Sequence, residues 1–147
     1  MSEKWLRLFL KVVGVVTLFA FAAAVMPAQW MEEIAGALGI EPFPRAPLTF
    51  YLARNLSLLY GFAGCLLLIV AADLSRYRPL VRMIAYGAIL FGILQAIVDA
   101  QSGMPWWWTA YESVSSIIGG LIIWWLDHRC QSTDGEPWSG MRDVTGD

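Results

Sequence analysis

The 147-residue chain predicts an all-α membrane protein: a four-helix transmembrane bundle running up-down-up-down, with a short interfacial helix on its outer side. Three observations carry this. Four apolar runs, at residues 8–26, 52–72, 80–100 and 106–126, are each long enough as helices to cross about 30 Å of hydrocarbon. The composition, 58% hydrophobic and 15% charged with a mean hydropathy of +0.56, is too apolar for a soluble domain of this length. Basic residues also alternate between the two sides. Lys4, Arg7 and Lys11, then Arg76, Arg78 and Arg82, then Arg129 and Arg142 flank one set of span ends, against Arg45 and Arg54 at the other. Lys and Arg are retained on the cytoplasmic side, so both termini and the 73–82 turn are expected there, with 27–51 and 101–106 outside. Residues 1–130 then form one transmembrane domain with no separate soluble catalytic part, and any chemistry belongs within or beside the membrane.

The first run has two readings. Its basic start, apolar stretch and Ala22-Ala23-Ala24 resemble a cleavable signal peptide, but the run is long for one and Pro27 follows closely, which favours a retained helix. Next, Trp30, Met31, Ile34 and Leu38 recur at helical spacing in 29–38 while Glu32 and Glu33 face away, the pattern of a helix lying on the outer surface. Gly39 can end it, and Pro42, Pro44 and Pro47 favour an extended return that is either a stiff connector or a lid over an outward pocket. The second and third spans join through Asp73–Pro79, where Pro79 suits the first turn of a helix. The third and fourth join through Ala100–Pro105, so successive spans should be antiparallel neighbours. Trp106–Trp108 and Trp124–Trp125 bracket the fourth run at a spacing of about 24–27 Å, which suits two interfacial aromatic belts. The tail 131–147, rich in Gly, Ser, Thr and Asp, lacks an apolar face and is expected to be a disordered cytoplasmic segment.

Several chemistries find no support. Cys65 lies mid-span and Cys130 beyond the last span, at depths that no disulfide joins. His128 is the single histidine and has no partner at metal-ligand spacing, so neither metal nor cofactor is assigned. No phosphate loop, nucleophile motif, internal repeat or nucleic-acid footprint is visible.

What remains are three polar seams. Arg54, Ser57, Gly61 and Gly64 share a face of the second span; Ala88, Gly92, Gln95 and Asp99 share one of the third; Glu112, Ser115, Ser116 and Gly119 share one of the fourth. Small residues let backbones approach, and polar residues bond across such interfaces instead of meeting lipid. Arg54, Asp99 and Glu112 lie toward the same outer end, where an ionisable side chain facing hydrocarbon costs up to about 2.5–3.5 kcal/mol. A buried ion-pair knot that fixes helix register accounts for the three charges. The functional alternative is an outward pocket lined by Arg54, Asn55, Gln95, Asp99, Tyr111, Glu112 and Ser116, with Arg54 holding an anion or lipid headgroup and Tyr51, Tyr60 and Tyr86 extending the lining. One Arg facing two carboxylates leaves a surplus acid to be protonated, hydrated or neutralised by something bound, which favours the pocket.

Tyr51-Leu-Ala-Arg-Asn55, the segment Asp73–Arg82 and Gly103-Met-Pro-Trp-Trp-Trp-Thr109, with Glu112 three residues on, resemble a group of uncharacterised small bacterial four-helix membrane proteins broadly similar to DoxX-like bundles. The likeness spans about residues 8–128. It implies the four-helix fold and a bacterial inner membrane, and carries no activity or functional residue with it. The expected function is binding of membrane lipid or a small apolar ligand, or service as a subunit of a membrane complex. An intramembrane enzyme is the alternative, such as an isomerase of a sterol-like or isoprenoid lipid with Asp99 and Glu112 dividing acid and base roles. A proton or small-ion transporter is the other, against which the inner halves of the spans show no continuing ionisable path.

Overall fold

A computed structural model of the chain describes residues 2–39 and 44–134, and every regular element among them is helical. These are α1 (Ser2–Leu18), α2 (Ala20–Ala24), α3 (Ala28–Ala37), α4 (Pro47–Ala72), α5 (Arg78–Ser102), α6 (Trp106–Thr109), a π-helical turn (Ala110–Val114) and α7 (Ser115–Asp134). Three helical stretches are long and apolar enough to cross a membrane: Glu3–Ala24, Pro47–Ala72 and Arg78–Ser102. The fourth apolar run differs in build. Residues 106–134 are helical throughout, but the π-turn divides them, and the α-helix beyond it takes in Asp127, His128, Arg129 and Asp134.

The exposed surface of the long helices explains why they need an apolar surround. Leu59, Phe62, Met83 and Leu90 are each more than half exposed, an arrangement that costs little only where lipid is the solvent.

The residues cluster as two compact units, Arg7–Leu74 and the segment from Ser75 onward with the first residues of the chain. In the Arg7–Leu74 unit, α1 and α2 run antiparallel to α4 at close range. A methyl on Gly64 would stand 2.7 Å from Leu18 N and 2.8 Å from Gly14 O, so only hydrogen there lets the two backbones meet. Phe21 covers Gly61 and meets Phe62 edge-to-face at 5.3 Å. Ser57, expected to bond across this seam, instead donates to Ala53 O of its own helix at 2.8 Å, the local bond that a helical serine has within reach. Ala28–Ala37 form the short helix the periodicity predicts, ended by Gly39 at φ +71°, a left-handed conformation that glycine adopts without strain. Trp30, Ile34 and Leu38 are exposed along it, and Glu32 pairs with Arg45 at 3.0 Å. Of the extended return expected at Pro42, Pro44 and Pro47, Pro42 lies outside the described residues and Pro44 falls in a stretch without regular structure, but Pro47 is not extended: it opens α4 in its first turn, where a missing N–H costs nothing.

In the other unit α5 and α7 pack antiparallel. A methyl on Gly92 would lie 2.6 Å from Ser113 O, and one on Gly120 would lie 2.7 Å from Ala85 O. The seam of the fourth run is therefore Ser113, Ile117 and Gly120, one residue on from the expected Glu112, Ser116 and Gly119; Gly119 meets nothing within 4 Å. The physical reason is the choice of face: the polar side chains Glu112 and Ser116 mark one face of the run, but close backbone approach to α5 selects its neighbour, where Ser113 O and Gly120 meet Gly92 and Ala85 O. α7 continues to Asp134, within the tail expected to be disordered; the rest of that tail lies outside the described residues.

Candidate functional site

The α4 residues at positions 47, 50, 51, 54, 55 and 58 form one helical face, and with Ala28 at the start of α3 they line a cavity of about 420 Å³. Pro47, Phe50, Tyr51 and Leu58 supply apolar surface, and Arg54 and Asn55 supply the charged and amide groups. Pro27 separates α2 from α3, and the carbonyl of Met26 in that break accepts from Arg54 Nη2 at 3.3 Å. One end of the guanidinium is thus tethered while the residue as a whole stays exposed. Of the seven candidate residues, this cavity brings together Arg54 and Asn55, and Tyr51 extends its wall.

The other five lie in the α5·α7 unit, where Gln95 and Asp99 bond to each other. Asp99 occupies the last turn of α5 and is 3% exposed. Gln95, one turn earlier, donates Nε2–H to Asp99 Oδ1 at 3.0 Å, and Ser113 Oγ–H reaches Oδ2 at 3.4 Å. The backbone holds the position as well: Gly103, at φ +67°, ends α5 and returns its N–H to Asp99 O, and Met104 N–H joins the same carbonyl at 3.1 Å. Glu112 sits in the π-turn, where its carboxylate accepts from Trp108 Nε1 at 2.8 Å. Ser115 Oγ donates to Glu112 O at 3.1 Å, joining the backbone N–H of the same serine on that carbonyl. Tyr111 is 81% exposed and Ser116 half-buried; the serine that meets Asp99 is Ser113, three residues earlier.

Trp108, one of the three tryptophans expected in an interfacial belt, binds its indole N–H to Glu112, while Trp106 is 81% exposed.

A second charged cluster, outside the seven expected residues, stands at the opposite end of the same helix pair. Asp127 of α7 is 3% exposed and lies between two arginines of the first turns of α5, with Arg78 Nε 3.4 Å from Oδ1 and Arg82 Nε 3.0 Å from Oδ2. The sequence does carry a signal for it: Arg78 and Arg82 are four residues apart, hence on one face, and Asp127 is the acidic residue that ends the fourth apolar run. Beside it on α7, His128 stacks on Trp124 at 5.8 Å, and the Arg129 guanidinium lies 4.1 Å over the Trp125 ring.

Among the described residues no group of three or more His, Cys, Asp or Glu side chains is arranged to hold a metal. No family model, curated protein or solved structure matches the chain.

Proposed function

We propose that this is an integral membrane protein of four spans that holds an amphiphilic ligand in the α3·α4 cavity, its anionic or polar head at Arg54 and Asn55 and its apolar part along Phe50, Tyr51 and Leu58. The observation that carries the proposal is the cavity itself. It has the size of a small-molecule site, is mostly apolar, and contains one pre-oriented cation and one amide, the few polar groups by which such sites orient a ligand. Membrane lipids are the nearest source of such a molecule, and a partner membrane protein presenting an acidic group is the other. In this reading 106–126 forms the fourth span, the chain belongs with the DoxX-like bundles of the bacterial inner membrane, both termini are cytoplasmic, and the cavity opens outward.

Native mass spectrometry of the protein extracted gently from its own membrane tests this. A retained lipid or small molecule should be lost from Arg54→Gln, while the variant keeps the wild-type helical spectrum and melting point. Equal retention by a folded Arg54→Gln protein overturns the reading.

A second reading draws on the π-turn and the buried Asp99, since π-turns are frequent at functional sites and a buried carboxylate is suited to proton transfer. In it Asp99 and Glu112 act on a lipid or carry a proton. Asp99→Asn preserves the shape of the group and removes its acidity, so an unaltered cellular phenotype in a folded Asp99→Asn strain excludes this chemistry.

A further inference from the structure

We propose that Arg82, positioned by Asp127 beside Arg78, binds the phosphate of an anionic phospholipid headgroup. This site is separate from the α3·α4 cavity and uses none of its residues.

The two arginines stand one turn apart on α5 and engage different oxygens of one carboxylate, each through Nε. For Arg82, whose partners among the described residues are confined to Asp127, the Nη groups are unused donors, and its side chain is 47% exposed. The carboxylate itself is 5% exposed and out of reach of a ligand, so it acts as a positioning residue. It keeps two like charges side by side and prevents Arg82 from swinging freely into water. Both arginines stand at the helix end whose macrodipole is already positive. An anion with several oxygens satisfies both the charge and the fork, and phosphate does so in a bidentate manner.

Depth and surface select a lipid over free phosphate. α5 is long and apolar enough to cross a membrane, and the arginines occupy its first turns, the level of lipid headgroups. Directly along the helix from Arg82, at steps of four, four and three residues, Tyr86, Leu90 and Ile93 are 59%, 58% and 48% exposed. This stripe runs about 16 Å from the guanidinium, close to the thickness of one leaflet. A phosphate at Arg82 therefore carries its acyl chain onto a continuous apolar track, which a soluble anion cannot use.

The test uses the full chain in mild detergent, supplied with equal amounts of phosphatidylglycerol and phosphatidylcholine of matched acyl chains and read by native mass spectrometry. Wild type should retain phosphatidylglycerol in preference, and Arg82→Gln should lower that preference about fivefold, the effect of one basic residue at a membrane surface. Arg82→Lys, which keeps the charge without the fork, should fall between them, and it serves in place of the Gln variant if the latter does not fold. Asp127→Asn raises the local charge by one and yet should lower the preference, because the arginines lose their tether. A rise there would show diffuse attraction by surface charge and overturn the site. So would equal retention of both lipids by wild type, or competition by millimolar inorganic phosphate without any lipid preference. The same series in the Arg54→Gln background separates this outcome from that of the α3·α4 cavity.

Discussion

Asp99 and Asp127 stand at opposite ends of the α5·α7 pair, each 3% exposed, and they are held in different ways. Asp99 receives neutral donors, the Gln95 amide and the Ser113 hydroxyl. Asp127 is ion-paired with two guanidiniums, of which Arg82 donates Nε–H to Oδ2. Equal burial does not impose equal chemistry: the first carboxylate is organised by hydrogen bonds from its own helix and the π-turn, the second by charge at an interface where arginines reach solvent. A group held by short neutral donors depends on close backbone approach. One held by long cationic side chains tolerates more separation, and it responds to salt.

The largest expected effect breaks the first end alone. Gly92→Val places side-chain atoms against Ser113 O, which would stand only 2.6 Å from the first carbon of any side chain there, and should destabilise the helix pair by about 3 kcal/mol, measured by chemical unfolding in detergent. The Arg82–Asp127 contact, about 15 Å from Gly92 along α5, should survive better; a charge-reversed pair, Arg82→Asp with Asp127→Arg, checks that it is still formed. Asp127→Asn should cost about 1–2 kcal/mol, less than a fully buried pair because the arginine side chains are 33% and 47% exposed. That loss should shrink at high salt, whereas the stability difference between wild type and Asp99→Asn should not; similar salt dependence at both ends would erase the distinction. Ser113→Ala should cost about 1 kcal/mol, and a double-mutant cycle with Asp99→Asn should show that the two are coupled. Smallest is Ser116→Ala, within about 0.5 kcal/mol by the same unfolding measurement, since Ser113 occupies the contact with Asp99.

The same contrast shows what the sequence discloses. The apolar runs and Gly39 as a helix stop are legible because each depends on local composition or on a residue with one dominant backbone role; Pro47 is not, because a proline suits an extended segment and a first helical turn alike. Gln95 and Asp99 are legible as a pair because four-residue spacing within one helix places them together. Ser113 is not, since the more polar face of the run, with Glu112 and Ser116, lies one residue over, and the packed face is chosen by how closely α5 approaches at Gly92 and Gly120. Asp127 escapes for another reason. At the end of an apolar run, followed by His128 and Arg129, it looks like the beginning of a polar tail, and its burial comes from α5 alongside. Arg54 and Asn55 are legible as the polar residues near the start of a span; that they face a cavity with Ala28 depends on the break at Pro27, which brings the Met26 carbonyl to the guanidinium.

The π-turn also makes the fourth run tolerant of a change in chain length. A π-turn accommodates one residue more than an α-helical turn over a similar rise, so deleting one residue within 110–114 would relax that turn to ordinary helix and leave Ile117, Gly120 and Asp127 in phase with α5. Deleting one residue anywhere in 116–126 would instead rotate Asp127 by about 100° away from both arginines. The two deletions shorten the chain equally, and only the second disconnects its charged end.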